Sequence, residues 1–378
     1  MTDRPQNDRL KNTLRKGWTT GACATAAATA AYQALLTGGF PDPVTITLPQ
    51  GQTPSFSLAH KELGADHATA SVIKDAGDDP DVTHGAEIAV TVSRGEAGSG
   101  IVFRAGKGVG TVTKPGLALS VGEPAINPAP RAMMTAELTA LAAAHQVAPD
   151  VVLTIAIAGG EALAEKTLNH RLGIVGGLSV LGTTGIVQPY SCSAWIHSIH
   201  RGIDVARATG LSHIAAATGR TSEAAVRRLT GLPEDAMVEM GDFAGGVLKY
   251  LRDHPVGRLT LAGGFAKMAK LSQGELYLHS SASEVDVAAL AAMMDQLGAG
   301  NAAVADAVGA NTAAQVLAAA RAQNLPLGNL VAARAREVAL ATLAGGTRVD
   351  VAVFDRAGTL VGRAGNGEDD EDDGDNNA

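Results

Sequence analysis

The sequence has few aromatic residues, few cysteines and no long apolar segment. Aromatic residues make up 3% of the 378 positions, which disfavours the base-stacking surfaces that single-stranded nucleic acids require. The two cysteines, Cys23 and Cys192, are too few for a disulfide framework. No uninterrupted apolar run is long enough to cross a bilayer, and the polar N-terminal segment lacks the apolar core of a signal peptide. We therefore expect a cytoplasmic protein that binds neither nucleic acid nor membranes.

The negative charge of the chain is concentrated at its C-terminal end. The formal net charge is -8, but residues 368–375 contain seven of the 38 carboxylates. The remaining 31 carboxylates are balanced by 30 Lys and Arg, which leaves a net charge of -1. Blocks of like charge are typically disordered, so we expect a disordered acidic tail at 366–378 and a flexible N-terminus at 1–15. The net charge therefore predicts nothing about the charge of a ligand.

The first half of the chain mixes helices with extended segments. Thr19 or Thr20 is suited to cap a helix that runs to about Leu36, where Gly38 and Gly39 end it. Extended segments with β-branched residues follow between residues 44 and 106, and then a helix over 131–145 and a strand over 151–157. With 46% hydrophobic residues, the chain is long enough to build two cores. We predict an α+β domain over residues 16–190 that binds the substrate.

Strands alternate with helices in the second half. Four extended segments, SHIAAAT, AMVEM, RLTLAG and RVDVAVF, are separated by helical runs, several of them rich in alanine. This alternation predicts a mainly parallel sheet. The expected fold class is therefore α/β overall, with an N-terminal α+β domain followed by a Rossmann-like α/β domain over residues 191–365.

A glycine-rich segment at 166–191, KTLNHRLGIVGGLSVLGTTGIVQPYS, combines bare backbone with apolar and hydroxyl side chains. Gly176 and Gly177 let backbone amides approach a ligand, and Thr183 and Thr184 add hydroxyl groups. This segment, called the glycine wall below, is typical of a ligand-binding surface. The alternative is a set of glycine-rich turns between buried strands.

Five blocks of the sequence, in order, resemble the cobalt-precorrin-5B C1-methyltransferases of anaerobic-type cobalamin synthesis. They are KGWTTGACATAAATAA from Lys16, KDAGDDPDVTHG from Lys74, GKGVGTVTKPGL from Gly106 with NPAPRAMM from Asn127, the glycine wall, and GDFAGGVLKYL from Gly241. The resemblance covers about residues 15 to 365, and five ordered blocks are far more specific than one glycine motif. Ala22 and Leu278 depart from the family pattern, which leads us to expect a hydroxyl residue and a threonine there.

The resemblance implies a reaction and its ligands. A member of the family is expected to transfer the methyl group of S-adenosylmethionine to carbon C1 of cobalt-precorrin-5B, which gives cobalt-precorrin-6A. It needs no protein-bound metal, because cobalt arrives inside the substrate. The partner is then a small-molecule corrin precursor, and assembly into a homo-oligomer stays open. Two other classes also stay open: a tetrapyrrole-binding carrier without catalysis, and a small-molecule kinase that binds phosphates at the Gly106 loop.

The acidic block KDAGDDPDVTHG places four carboxylates and an imidazole within ten positions. Such residues suit a proton acceptor or a hard cation, although the spacing is not that of an EF-hand. The alternative is a polar turn in which Asp side chains bind backbone amides. Because methylation at a ring carbon requires the loss of a proton, the resemblance implies catalytic roles for Asp75, Asp79 and His84.

Basic residues near glycines predict recognition of the acetate and propionate groups of the substrate. In GKGVGTVTKPG, glycines free the backbone beside two lysines, although the spacing is not that of a Walker A loop. The alternative is a tight hairpin with solvated lysines. The predicted substrate-binding residues are Lys107, Lys114, Arg131, Lys166, Arg171, Gly176, Gly177, Thr183 and Thr184.

Glycine-containing turns between strands and helices predict the cofactor site. Ligands of open α/β sheets bind at the carboxyl ends of strands, where AMVEM leads to GDFAGG and RLTLA leads to two glycines. The alternative is that these turns are only structural. The residues predicted for S-adenosylmethionine are Gly241, Asp242, Gly245, Gly263, Gly264, Lys267, His279 and Ser280. His197, His200 and Asp204 share one helical face, but ordinary amphipathic spacing explains them and we predict no metal site.

Overall fold

The computed structural model describes residues 14–365. The chain divides into two compact units, one that ends at Cys192 and one that begins at Ser193, and they are called unit 1 and unit 2. Both contain helices and sheets, so the protein has the mixed α and β character that the sequence predicts. The acidic tail and all but residues 14 and 15 of the predicted flexible N-terminus lie outside the described residues.

Unit 1 combines helices with mostly short strands. Its helices are α1 (Thr20–Thr37), α2 (Pro128–Ala144) and α3 (Gly160–Ala164). Its strands are β1 (Gly17–Trp18), β2 (Val44–Thr45), β3 (Ser55–Phe56), β4 (His60–Leu63), β5 (His67–Ile73), β6 (Glu87–Arg94), β7 (Ile101–Ala105), β8 (Gly108–Val109), β9 (Thr111–Val112), β10 (Val151–Ile157), β11 (Ile174–Val175), β12 (Gly177–Leu178) and β13 (Ile186–Val187). Several extended segments predicted from the sequence therefore form strands of only two residues.

Helix α1 lies at the centre of unit 1. Thr19 caps its start by accepting a hydrogen bond from the backbone N–H of Ala22 at 3.1 Å, and Gly38 ends it with a φ of +82°. Both caps confirm the sequence prediction. Every residue from Thr20 to Ala31 is buried, because small side chains let β5, β6 and α2 approach the helix.

A five-stranded mixed sheet packs against α1. Its strand order is β4-β5-β6-β10-β7. Strand β6 is antiparallel to both of its neighbours, β5 and β10, whereas β10 and β7 run parallel. Alternate residues of β6 and β10 are buried, which is the pattern of a sheet with one face on a core.

The glycine wall pairs with the other glycine-rich block of unit 1. Strands β8 and β12 run parallel, with Gly108 opposite Gly177. A Cβ on Gly177 would lie 2.4 Å from the backbone of Gly108, and a Cβ on Gly108 would lie 2.1 Å from the carbonyl oxygen of Ile157. Backbone packing therefore requires glycine at both positions, whether or not a ligand binds there.

Unit 2 consists of helices around a five-stranded sheet. Its helices are α4 (Cys192–Ala208), α5 (Arg220–Thr230), α6 (Ala244–Asp253), α7 (Phe265–Ser272), α8 (Val287–Gln296), α9 (Asn301–Val308), α10 (Ala313–Ala322) and α11 (Leu327–Leu343), with a 3-10 turn at Glu234–Ala236. Its strands are β14 (His213–Ala217), β15 (Met237–Glu239), β16 (Arg258–Gly264), β17 (Arg348–Phe354) and β18 (Leu360–Ala364). The predicted alternation of strands and helices is therefore present.

The sheet of unit 2 has the strand order β15-β14-β16-β17-β18. The first four strands in that order are parallel, and β18 is antiparallel to β17. Helix α5 packs on one face, and α4, α6 and α11 pack with other helices on the opposite face. Counted along the chain the order is 2-1-3-4-5, an order of doubly wound sheets that reverses between β14 and β16.

Candidate functional site

The carboxyl ends of β14 and β16 each lead into a helix through a glycine. Gly219 precedes α5 and Gly264 precedes α7, and neither helix start has a side-chain cap. A Cβ on either glycine would meet no atom within 4 Å. Helix starts attract anionic groups, because the backbone N–H groups there carry the positive end of the helix dipole. Open space therefore lies beside two helix starts, at the point where the strand order reverses.

Lys267 connects the ends of three neighbouring strands. It lies in the first turn of α7, and its Nζ donates to the carbonyl oxygen of Thr218 at 3.1 Å, just after β14. The same Nζ lies 2.9 Å from Oδ1 of Asp242, which follows β15. That Oδ1 is buried, and none of the described residues gives it a hydrogen bond of good geometry. An ammonium and a carboxylate thus share one edge of the sheet, where a ligand that carries both charges can bind.

The other predicted cofactor glycines are explained by packing. A Cβ on Gly263 would lie 2.6 Å from Met268 Sδ, and one on Gly245 would lie 3.1 Å from a leucine side chain. Gly241 has a φ of +58°, which favours glycine. Of these predicted glycines, Gly264 is the one with open space at its Cβ position.

His279 and Ser280 follow a segment that contacts the Asp242 turn. The backbone N–H of Leu278 donates to the carbonyl oxygen of Asp242 at 2.8 Å. His279 and Ser280 are exposed, and His279 Nδ1 lies 2.7 Å from the hydroxyl of Ser281. The structure thus brings both residues near Asp242.

Sequence analysis missed the turn formed by Thr218 and Gly219. This turn lies at the reversal of strand order and receives the hydrogen bond from Lys267. A signal for it exists in the sequence, because SHIAAAT leads to Gly219 and α5 just as RLTLA leads to Gly264 and α7.

In unit 1, the acidic block forms the loop between β5 and β6. Asp75 accepts two hydrogen bonds from the guanidinium of Arg15, one of them at 2.9 Å, and another from the backbone N–H of Gly77 at 2.9 Å. The hydrogen bonds from Arg15 are the main reason that the pKa of Asp75 falls to about 2. A carboxyl group with so low a pKa is a weak proton acceptor at neutral pH. Arg15 is a second residue that sequence analysis missed.

Asp79 and His84 belong to the same loop but have different partners. Asp79 Oδ1 accepts a hydrogen bond from the backbone N–H of Tyr190 at 2.9 Å, so the loop contacts the end of the glycine wall. His84 Nδ1 accepts one from the backbone N–H of Ala76 at 3.1 Å, and it lies 3.8 Å from Asp75 Oδ1. This hydrogen bond assigns the proton of the neutral ring to Nε2. The three predicted catalytic residues therefore share one loop.

Lys74 is a buried basic residue that the sequence did not single out. It is 3% exposed, and its Nζ donates to Asp81 and to Thr83. Burial acts to raise the pKa of Asp81, but the charge of Lys74 and the hydrogen bonds outweigh it and lower the pKa. Backbone hydrogen bonds from Lys74 to Ala86 and from Gly85 to Lys74 close the base of the loop. Asp81 thus binds within the loop, as the polar-turn alternative describes.

The predicted basic residues differ in their surroundings. Lys107 and Lys166 are exposed. Arg131 is half-buried, and its Nε donates to the carbonyl oxygen of Ile126 at 2.8 Å. Its guanidinium also lies 5.5 Å from the centre of the Phe103 ring. Arg131 therefore stabilises the segment that leads into α2.

Arg171 belongs to the glycine wall and Lys114 packs against it, and both residues are half-buried. A Cβ on Gly173 would lie 2.4 Å from Cγ of Lys114, so the lysine stem packs against the backbone there. Such a stem can cover apolar surface while its ammonium stays at the surface. Lys114 therefore contacts the backbone of the glycine wall through its apolar stem.

Part of the glycine wall is open to solvent. Gly176 has a φ of +85° and no atom within 4 Å of a Cβ position, and Thr183 is exposed. Val175 is 58% exposed and Leu181 is 51% exposed. Thr184 instead accepts a local hydrogen bond from the backbone of Ile186 at 3.3 Å. The exposed members combine apolar surface with backbone and hydroxyl groups.

The loop from Gly106 to Gly110 uses its backbone for packing. The N–H of Gly106 donates to the carbonyl oxygen of Ile155 at 2.7 Å, and the N–H of Gly110 donates to that of Leu178 at 2.9 Å. These amides are satisfied within unit 1 and do not form a cradle for phosphate. The kinase alternative therefore loses the feature on which it was based.

Two further clusters bear on metal and thiol chemistry. Across residues 14–365, no group of three or more His, Cys, Asp or Glu could hold a metal ion, and no helix is long and apolar enough to cross a membrane.

Cys23 is buried, and burial raises its pKa to about 12. His200 stacks on Tyr250 with ring centres 3.9 Å apart, and the Tyr250 hydroxyl donates to Asp204 at 2.7 Å. His200 and Asp204 thus both contact Tyr250.

Comparison with known proteins identifies the family. A family model described as CbiD matches residues 7–189, and one described as CbiD, C-terminal domain, matches residues 277–365. The chain belongs to the CbiD family. A relative from Bradyrhizobium sp., named cobalt-precorrin-5B C(1)-methyltransferase, is 61% identical over 357 residues, which are 94% of this chain and 95% of the relative. The resemblance found in the five sequence blocks is thus confirmed.

Other CbiD relatives are similar over the same extent. Proteins of the same name from Paramagnetospirillum magneticum and Rhodospirillum rubrum are each 58% identical, over 93% of this chain and 98% of their own length. A crystal structure described as a cobalamin biosynthesis protein (cbiD) from Archaeoglobus fulgidus is 26% identical, covers 72% of this chain and 87% of its own, and has a TM-score of 0.38.

Proposed function

We propose that this CbiD protein methylates carbon C1 of cobalt-precorrin-5B with S-adenosylmethionine, which yields cobalt-precorrin-6A and S-adenosylhomocysteine. The observation that carries the proposal is identity of 56–61% over nearly the whole chain to proteins named for this reaction. The carrier and kinase alternatives have no comparable support.

Unit 2 is the proposed binding domain for S-adenosylmethionine, with a doubly wound, Rossmann-like sheet. When bound, the cofactor supplies an electrophilic methyl group on a sulfonium. Lys267 suits the carboxylate of its methionine part, and Asp242, whose buried Oδ1 lies 2.9 Å from the Lys267 ammonium, suits its ribose or amino group. Gly219 and Gly264 offer space at helix starts for the carboxylate of the cofactor. His279 is also proposed to contribute to the site, because it follows Leu278, whose backbone N–H donates to the carbonyl oxygen of Asp242.

Unit 1 is the proposed binding domain for the corrin precursor. The apolar Val175 and Leu181, beside the open Gly176 and the exposed Thr183, suit a large flat macrocycle. The carboxylate side chains of the macrocycle need basic partners, for which we propose Lys107, Lys114, Lys166 and Arg171. Arg131, with its contacts to backbone carbonyl oxygens, is proposed to support this surface rather than to bind the substrate.

The acidic loop of unit 1 is the proposed place of proton transfer. Methylation forms a bond between the methyl carbon and C1, the sulfur keeps the electron pair of the broken bond, and a proton then leaves the macrocycle. Asp79 is the proposed acceptor, because its carboxylate binds a neutral backbone N–H whereas Asp75 binds a guanidinium. His84 and Asp75 are proposed to shape the loop. Holding the reacting atoms in line can supply about 7–11 kcal/mol of the barrier.

Incubation of the purified protein with cobalt-precorrin-5B tests the proposal. With S-adenosylmethionine present, mass spectrometry should detect a product heavier by one CH2 group and an equal amount of S-adenosylhomocysteine. Without it, the macrocycle should return unchanged. Tight binding of the macrocycle without methylation would indicate the carrier instead. A cytoplasmic location and assembly into a homo-oligomer stay predictions from the sequence.

A further inference from the structure

Trp195 lies beside the turn that follows β15. It belongs to the first turn of α4, and its Nε1 lies 3.3 Å from the position of a Cβ on Gly241. The next residue, Ile196, lies 3.4 Å from the Cβ position of Gly246 in α6. The start of α4 therefore packs on the turn that contains Asp242 and on the first turn of α6.

The indole of Trp195 is exposed in a protein that has only two tryptophans. Trp195 is 43% exposed, whereas Trp18 packs edge-on against Phe56 with ring centres 5.5 Å apart. An exposed aromatic ring forgoes the stabilisation that burial of its apolar surface provides. The exposed ring lies at a strand end, next to the Asp242 turn, which is where ligands of open α/β sheets bind.

We propose that Trp195 contacts the adenine ring of S-adenosylmethionine, with the methionine part of the cofactor at Gly219 and Gly264. The inference rests on the proposed function and specifies the orientation of the cofactor in it. Asp242 and Lys267 lie between Trp195 and the two glycines. Asp242 directly follows Gly241, the glycine beside Trp195, and Lys267 donates a hydrogen bond to Thr218, the residue before Gly219. Neighbouring strands are about 4.8 Å apart, so the ends of β15 and β16 are separated by roughly 10 Å. An extended nucleoside joined to an amino acid spans such a distance.

The chemistry of the ligand favours adenine as the partner of the indole. Both rings are flat, and stacking of a base on an aromatic side chain tolerates some variation in geometry. A sulfonium cation is also attracted to an aromatic face. The contact with adenine and the contact with the sulfonium can be told apart by the choice of ligand. Adenosine, S-adenosylhomocysteine and S-adenosylmethionine all carry adenine, but only S-adenosylmethionine carries the sulfonium.

Tryptophan fluorescence tests the contact directly, because each unit contains one tryptophan. In the Trp18→Phe variant, tryptophan emission comes from Trp195 alone, and titration with S-adenosylhomocysteine should quench or shift it. In the Trp195→Phe variant, the emission of Trp18 should stay constant during the same titration. A response confined to Trp18 would overturn the proposal.

Calorimetry separates the adenine contact from other roles. Trp195→Ala should weaken binding of S-adenosylhomocysteine and S-adenosylmethionine about tenfold or more, by similar factors, and should weaken adenosine likewise. Trp195→Phe keeps a ring and should lose less affinity, and thermal unfolding should show that both variants are folded at the temperature of the titration. Unchanged affinities in Trp195→Ala, or a loss for S-adenosylmethionine alone, would overturn the assignment and leave the proposed function standing. If the unsubstituted protein binds neither S-adenosylmethionine nor S-adenosylhomocysteine, the proposed function itself fails.

Discussion

Arg15 and Asp75 form a two-point ion pair between the segment before β1 and the acidic loop. Backbone contacts surround the pair: the N–H of Arg15 donates to Asp78 Oδ2 at 2.6 Å, and the N–H of Asp78 donates to the carbonyl oxygen of Arg15 at 2.9 Å. The segment before β1 thus holds the loop that carries the predicted catalytic residues. Asp75 stabilises this arrangement in its ionised form.

Replacing Arg15 with Gln should raise the pKa of Asp75 from about 2 towards its ordinary value of 3.8, because its strongest hydrogen bonds are lost. Because its pKa is lowered, ionised Asp75 stabilises the fold at pH values above about 3.8, and this contribution disappears as the pH falls through about 2. Between these two pH values, the unsubstituted protein should therefore lose more stability on acidification than the variant does, so the difference in stability between them should shrink as the pH falls. NMR titration of the Asp75 carboxyl carbon and acid unfolding followed by circular dichroism measure both effects. An unshifted Asp75 titration would show that Gly77 and the rest of the loop set its pKa.

Replacing Lys74 with Met should destabilise unit 1 by about 3 kcal/mol, because Asp81 then keeps a partly buried charge without its cation. Denaturation by urea measures the loss. The matched control is Lys61→Met, which removes an ion pair to Asp42 at the surface, 2.9 Å long, and should leave the unfolding midpoint nearly unchanged. Equal effects of the two substitutions would contradict the role given to burial.

The neighbouring glycines at the end of β16 should respond differently to alanine. Gly263→Ala should destabilise the protein by about 1–3 kcal/mol, because the new Cβ meets Met268 Sδ at 2.6 Å. Gly264→Ala should fold normally, since its φ of -65° suits any residue and its Cβ position is open. It should nevertheless weaken binding of S-adenosylhomocysteine in calorimetry, because the methyl group enters the proposed cofactor site. Unchanged affinity in Gly264→Ala would exclude this strand end from the site.

Replacing Tyr250 with Phe should cost about 1 kcal/mol at neutral pH, because the hydrogen bond to Asp204 is lost. Burial, followed by the hydrogen bond to Asp204, raises the pKa of Tyr250 to about 12. The contribution of Tyr250 is complete below about pH 10, the ordinary tyrosine value, and is lost as the pH rises through about 12. The difference in stability between the two proteins should therefore shrink over that range. Urea denaturation at neutral and at alkaline pH checks this, and a constant difference would contradict it.

Local patterns in the sequence predicted much of the secondary structure. The caps of α1 at Thr19 and Gly38 and the bounds of β10 were predictable, because capping and β-branched alternation act through neighbouring residues. The parallel strands of unit 2 follow from their alternation with helices. The sequence predicted longer extended segments where β2 and β3 form, because these segments have strand-like residues but pair with each other over only two residues.

The sites were harder to predict, because they depend on contacts between distant parts of the chain. The sequence grouped Asp75 with Asp79 by proximity, but their difference arises from Arg15, sixty positions away from Asp75. The sequence grouped Arg131 with the other basic residues, but its hydrogen bonds to the carbonyl oxygens of Ile126 and Pro124 depend on how the segment before α2 folds. Likewise, Gly177 looked available for a ligand, whereas the backbone of Gly108 fills the space beside it.

The all-round burial of α1 explains why its sequence is so restricted. A helix surrounded on every side admits only side chains that neighbouring strands can accommodate, and the run from Ala22 to Ala31 meets that demand with alanine, threonine and one cysteine. Steric fit therefore explains most of the small residues in the motif that begins at Lys16. A larger side chain anywhere in this run would have to displace a neighbouring strand or helix.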